Sequence, residues 1–347
     1  MFSLGLKATI RSLFDPFHAT RHREPWMPHW HRDPRVDVDR AAFAEQLLRI
    51  ERRPGFAERS KGEPDRRAAT LALTKDIAEA LAREDVPRVL STALLLAASD
   101  MVNDDAFGLY VDLLRYFSAD AFVAAREGMR QNVVMHVSCE ARLERAERSC
   151  ASFAPVLGDD VSQLIVVGDE AAATYRYDRG RNVLYVPTSD AYQHLPAKVV
   201  SALSFLCWCG AEAVLKVDDD HRLKSAEAMR RGFSSAAASR PAQYGVIAEL
   251  HALGTFNPTW HYGKCSDPVL NARPHSHPMT TRWVNGGRGY FMNRKALRLM
   301  MWSGVYFSGH IAASLYEDMA ISDLIERQGG RLRVLDMAGI LGTVEDY

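Results

Sequence analysis

From residue 132 onward, short apolar runs alternate with stretches of helical periodicity. This alternation limits what the chain can fold into more than any other feature. "NVVMHVSC" (132–139), "SQLIVVGD" (162–169), "NVLYVPTSD" (182–190) and "AEAVLKVDDD" (211–220) read as strands. "ARLERAERSCASFAPVL" (141–157) and "LPAKVVSALSFLCWCG" (195–210) read as helices between them. Strands that alternate with helices predict an α/β sandwich with a largely parallel central sheet. Ligands of such sheets bind at the carboxyl ends of the strands. The run 211–220 ends there with Asp218, Asp219 and Asp220, followed by His221.

Three adjacent carboxylates repel one another unless a cation joins them. In extended backbone, residues two apart face the same side, so Asp218 and Asp220 are expected to point together, with Asp219 opposed unless the strand ends in a turn. Two carboxylates in one cleft call for a cation or a raised pKa. Hard oxygen ligands of this kind suit Mg²⁺ or Mn²⁺, which keep coordination positions for substrate phosphates. The bland reading is an aspartate-rich turn that caps the helix in "HRLKSAEAMRR". His221 reads as a supporting neighbour of the ion.

Two later stretches bear on the choice. "WVNGGRGYFMNRKALRLM" (283–300) places Gly286, Gly287 and Gly289 ahead of a strand, "YFM", and a helix. Glycines let backbone approach a ligand, and hairpins use the same composition. "SLYEDMAISDLIERQGGRLRVLD" (314–336) sets Glu317 and Asp318 at a helix start. There they read as acidic capping of the helix dipole or as a general base at the cleft mouth.

In order, these stretches resemble the family 31 glycosyltransferases, which include β-1,3-galactosyltransferases and Fringe-like enzymes. The resemblance rests on "CEARLERAERSCASF", "SDAYQHLPAKVVSALSFLCWCGAEAVLKVDDDHRL", "VNGGRGYFMNRKAL" and "YEDMAISDLI", and spans roughly 133–340. It implies a GT-A fold and inverting transfer of a hexose (galactose or N-acetylhexosamine) from a UDP-sugar to a glycan hydroxyl, with β-1,3 linkage. By that resemblance Asp220, with Asp218, would hold Mn²⁺ or Mg²⁺. Asp218 and Asp219 would contact the nucleotide. Arg142 or Arg145 would meet the donor diphosphate, and Gly287 and Gly289 would line the donor site. Asp318 would deprotonate the acceptor, and Lys198 matches the lysine of the family's helix before the triplet. Two features depart from the pattern. No histidine follows His310, where the family has a further metal ligand, and Asp336 falls in roughly that region. No membrane anchor of the animal kind precedes the domain.

The rest of the chain bounds the function. Lys+Arg and Asp+Glu are both 43, so the formal net charge is zero, which argues against a general nucleic-acid binder. No run reaches the roughly 20 apolar residues that span a bilayer. Residues 1–14 have an apolar face, with Lys7 and Arg11 on another, which allows packing on their own domain or peripheral membrane contact. Lacking a small-residue cleavage site, this segment does not read as a signal peptide. A cytoplasmic protein, at most peripheral at a membrane, is the expectation. Residues 20–66 have weak periodicity, and about 67–130 are strongly helical. The expected division is therefore a helical region over 1–130 and the α/β domain over 131–347.

Other residues carry paired readings. Trp260, His261, Tyr262 and Lys264 in "NPTWHYGKCSDP" suit sugar stacking and phosphate contact, or ordinary loop packing. Trp283 suits an acceptor wall or the core, and His275 and His277 suit solvent. The five cysteines match no zinc signature and read as free thiols. Two alternatives to the glycosyltransferase reading follow. One is another nucleotide-sugar or nucleotidyl transferase that keeps the metal aspartates without the base role of Asp318. The other is a degenerate scaffold in glycan assembly.

Overall fold

The computed structural model describes residues 40–52, 64–99, 104–237, 240–252, 256–275 and 280–343. The amphipathic segment 1–14 and His277 lie outside them. The chain divides into two compact units, Met1–Ala119 and Asp120–Tyr347.

The described part of the first unit is helical: α1 (Arg40–Arg52), α2 (Pro64–Ala82), α3 (Val86–Ser99) and α4 (Asp104–Phe117). Helix α1 lies within the stretch 20–66, whose periodicity is weak in the sequence. Its apolar residues Phe43, Leu47 and Ile50 recur at three and four and are all buried. A buried bond from Gln46 Nε2 to Asp112 Oδ2 (2.8 Å) ties α1 to α4.

The second unit opens with α5 (Ala119–Gly128) and is built on an eight-stranded sheet. Its strands are β1 (Asn132–Val137), β2 (Val161–Gly168), β3 (Arg176–Asp178), β4 (Val183–Val186), β5 (Ala213–Asp218), β7 (Ala242–Gly245), β10 (Tyr290–Asn293) and β11 (Arg331–Val334). The order is β11-β7-β10-β5-β1-β2-β4-β3. Strands β1, β2, β4, β5, β7 and β11 run one way, and β10 and β3 run the other. The sheet is therefore mostly parallel, in a mixed α/β unit. Two small two-stranded sheets pair β6 (His221–Leu223) with β12 (Leu341–Thr343), and β8 (Ile247–Glu249) with β9 (Arg282–Val284).

Helices cover the sheet. On one face, Leu215 and Val217 of β5 and Phe291 of β10 pack with Phe153 of α6 (Leu143–Phe153) and with Met229 and Phe233 of α8 (Ala226–Ser235). Helix α7 (Leu195–Trp208) packs with α10 (Arg294–Tyr306) and α12 (Glu317–Arg327). Two shorter helices are α9 (Pro268–Asn271) and α11 (Ser308–Ala312). Since strand side chains alternate, Lys216 points away from the Leu215–Val217 face, toward α12. Strand β5 is buried from Ala213 to Val217, so that lysine lies in the interior.

The strands and helices read from the sequence are present, with shorter bounds. The run 182–190 is a strand only over Val183–Val186, because Pro187 lacks an N–H for a further ladder bond. The run 211–220 stops at Asp218, and Asp219 and Asp220 form a turn.

Candidate metal and nucleotide site

The triplet lies at the carboxyl end of β5, beside the end of β1, where Val137 pairs with Asp218. The turn after Asp218 replaces the simple alternation expected of a strand and sends the three carboxylates different ways. Asp219 is buried and accepts a hydrogen bond from Ser138 Oγ at 3.0 Å. Burial pushes its pKa up, against the opposing effects of Ser138 and Arg145. Asp218, Asp220 and His221 place one ligand atom each within 4.8 Å of one another. His221 is buried, and its Nδ1 accepts the Asp218 backbone N–H at 2.9 Å. Two carboxylates and an imidazole form a donor set of the kind that holds a divalent ion, with the ion taking the place of the Asp218 N–H at Nδ1.

Cations of the chain already reach these carboxylates. Arg145, on α6, lies 2.8 Å from Asp220 and 3.5 Å from Asp219. Lys216 Nζ donates to Asp218 Oδ1 at 2.7 Å and to the Gly286 carbonyl at 3.3 Å, and it lies 3.5 Å from Glu317 Oε2. For Asp218, burial works upward, but Lys216 and His221 outweigh it and the net direction is down. For Lys216, burial works downward, and Asp218 with Glu317 overcomes it.

Beyond Lys216 and Gly286 stand Glu317 and Asp318 at the first turn of α12. Glu317 is buried and accepts from the Tyr290 hydroxyl. Burial pushes its pKa up to about 7, and Lys216 only partly offsets this. Asp318 Oδ2 accepts the Gly286 N–H at 2.9 Å, and its Oδ1 accepts the Met319 N–H at 2.8 Å. Burial raises its pKa, against those two amides and Lys216. Gly286 permits this approach: a Cβ there would meet Asp318 Cβ and Glu317 Oε2, both at 2.9 Å. Gly289 has φ +70, and a Cβ there would meet Leu341 Cδ1 at 2.6 Å. Its glycine thus serves a turn and close packing.

Beside the triplet a small open cleft is lined by His221, Lys224, Gly287, Arg288, Met337 and Thr343, among others. It brings Gly287 next to two cationic side chains that the sequence reading did not single out. Arg142 is exposed and adds positive potential at Asp219. Lys198 lies deeper. Its Nζ donates to Asp190 Oδ1 at 2.8 Å and to the Ser138 carbonyl at 2.6 Å, which braces the segment that holds Asp219.

Several readings resolve against the site. Trp283 is fully buried and packs in the core with Tyr316 and Met319, so it is no acceptor wall. His261 is fully buried and bonded to the Tyr316 hydroxyl at 2.9 Å, which makes it a packing residue. His275 is half-buried, packs its ring against Tyr316 with centroids 4.9 Å apart, and stands outside the Asp218–Asp220–His221 group. Asp336 accepts from the Ala338 N–H and stands outside the Asp218–Asp220–His221 group. Lys264 does stand near the cleft: it is exposed, lies 5.4 Å from the Tyr192 ring centroid, and lowers the pKa of Asp218. The cysteines described are free thiols. Sequence reasoning missed Lys216, although a lysine inside the apolar strand "AVLKVD" was a visible signal.

No protein-family model matches the chain, and no curated protein matches it. Among solved structures the chain is similar to 4-diphosphocytidyl-2C-methyl-D-erythritolsynthase from Anaerococcus prevotii. The likeness has 11% identity and a TM-score of 0.33, and covers 61% of this chain and 89% of that one. Among the described residues, no helix is long and apolar enough to cross a membrane.

Proposed function

We propose that the protein is a metal-dependent transferase of a nucleotide-activated sugar and, within that class, an inverting GT-A glycosyltransferase that moves a hexose from a UDP-sugar to a glycan hydroxyl. The observation that carries this reading is that Lys216 and the Gly286 backbone link a divalent-ion donor set, Asp218, Asp220 and His221, to a second carboxylate, Asp318, on a different element. Transfer from a nucleoside diphosphate needs both: charge stabilisation at the leaving diphosphate and a base for a weak sugar nucleophile. The mostly parallel sheet, with the cleft at its carboxyl edge, is also what the family 31 resemblance implies.

Asp218, Asp220 and His221 would hold Mn²⁺ or Mg²⁺. Such an ion supplies Lewis-acid stabilisation of diphosphate charge. Lys224 and Arg288 line the adjacent cleft and provide further positive charge for the leaving group. Arg145 is about one-third exposed, so it can leave Asp220 and turn toward a phosphate. Asp318 is held by one backbone N–H on each oxygen, which leaves a lone pair on each for an acceptor hydroxyl. Its raised pKa makes it a stronger base than an exposed aspartate.

The same two amides favour a second reading, in which Asp318 only fixes the Gly286 loop and the enzyme is a nucleotidyl or other nucleotide-sugar transferase. Asp318→Asn separates the two. The glycosyltransferase reading expects transfer to fall on the order of 10²- to 10⁴-fold while UDP–Mn²⁺ binding persists. Calorimetric titration of UDP with and without Mn²⁺, beside Asp220→Ala, tests the shared basis. Metal-dependent binding lost in the variant supports it, and no UDP binding under either condition ends it.

A further inference from the structure

Lys216 has no water to turn to. Its side chain is 1% exposed, on a central strand, facing α12. A buried ammonium persists only with acceptors around it. It donates to Asp218 Oδ1 on its own strand and to the Gly286 carbonyl, and it is ion-paired with Glu317 on α12. One positive charge therefore serves carboxylates on two elements, β5 and α12. The other carboxylate of the donor set is neutralised too, by Arg145 at 2.8 Å from Asp220. Before any ion enters, the pair that would bind it is already balanced by the chain's own cations. Arg145 can swing out, and Lys216 cannot.

We propose that Lys216 is the built-in counter-cation of this cleft: it neutralises Asp218 before a divalent ion binds, cedes Asp218 to that ion, and keeps Glu317 and the Gly286 carbonyl as partners. The inference rests on the metal-site reading given above. Its consequence is ordered loading. A bare divalent ion meets Lys216 as a competitor for Asp218 and is repelled by its charge. An ion accompanied by a nucleoside diphosphate brings two or more negative charges to offset that repulsion. Lys216 thus disfavours metal alone and favours metal with its nucleotide. After Asp218 is taken, its remaining partners belong to the segments that hold Asp318, so occupation of the donor side bears on the acceptor side.

The test is a titration of Mn²⁺ alone, followed by the paramagnetic resonance signal of the free ion, on the wild type, Lys216→Met, Lys216→Arg and the double variant Lys216→Met/Glu317→Gln. A second titration of each includes UDP. Removing a unit charge so close to Asp218 should tighten binding of Mn²⁺ alone about tenfold or more, and shrink the further gain from UDP. Lys216→Arg keeps the charge and should keep the wild-type affinity. A lysine that merely supports the fold predicts the opposite sign, weaker binding on its loss. The double variant removes the buried ammonium together with its buried carboxyl partner, so it decides the matter if Lys216→Met fails to fold. Equal or weaker binding of Mn²⁺ in both Met variants, with a wild type that binds it through Asp220, overturns this inference alone. No Mn²⁺ binding by any variant, with or without UDP, overturns the metal-site reading as well.

Discussion

Glu317 shows how much a single residue's setting decides. By sequence position it is an acidic residue in a first helical turn, where dipole stabilisation would lower its pKa. In the structure it is buried between Tyr290, Lys216 and Asp318, and its pKa rises from 4.5 to about 7. Between those values the folded protein holds more protons than the unfolded chain. The stability linked to Glu317 is therefore fully present below about pH 4.5 and is lost as pH rises through about 7. The loss is at most about 3 kcal/mol. Urea unfolding at pH 5 and pH 8 should show the wild type losing stability across that range, and Glu317→Gln losing markedly less. Equal slopes for the two proteins would contradict the buried setting of this carboxyl. Gly286→Ala should fail in a different way. The added methyl must displace Asp318 or Glu317, so transferase activity should fall at least about tenfold with the fold retained by circular dichroism.

At the scale of elements, the close fit between α8 and the sheet turns on Gly232. Helix propensity alone would favour alanine there by roughly 1 kcal/mol. A Cβ at Gly232 would, however, meet the Phe291 ring at 2.4 Å, and Phe291 is fully buried on β10. Gly232→Ala should therefore destabilise, by about 1–3 kcal/mol, which is measurable as a lower thermal midpoint. What could be read from sequence at this scale follows the same physics. The strands and helices from 132 to 218 were legible because burial imposes its period on contiguous residues. The reach of "NVLYVPTSD" was overestimated because apolar pattern does not register a lost ladder bond at Pro187. Helix α1 was not delimited within the expected helical region because the Arg- and Glu-rich stretch around Phe43, Leu47 and Ile50 dilutes the apolar stripe. The pairing of β6 with β12 joins His221 to Thr343, more than a hundred residues apart, and no local pattern carries it.

At the scale of the molecule, α5 bears on where the second unit begins. Phe122 of α5 stacks on Phe205 of α7, centroids 4.6 Å apart, and packs against Trp208 and Tyr175. A fragment beginning at 118 keeps this anchor, whereas one beginning at 131, the boundary expected from sequence, discards it. The longer fragment should unfold cooperatively and bind UDP–Mn²⁺ like the full chain. The shorter should be less stable by about 3 kcal/mol or more, in line with deletion of a core phenylalanine. Chemical denaturation of both fragments measures the difference. Equal stability would place the start of the unit after α5.

By itself, the sequence determined the alternation of strands and helices, the three aspartates at a strand end and the Glu-Asp pair at a helix start, because each depends on neighbours along the chain. Only the tertiary structure decided how those charges are arranged. It joined Asp218 to Glu317 through Lys216, turned Asp219 to Ser138 and set His221 beside Asp220. The reason is that electrostatic energies depend on distance and burial in three dimensions. Residues 216 and 317 are far apart along the chain, and their 3.5 Å contact exists only once β5, the Gly286 loop and α12 have packed together.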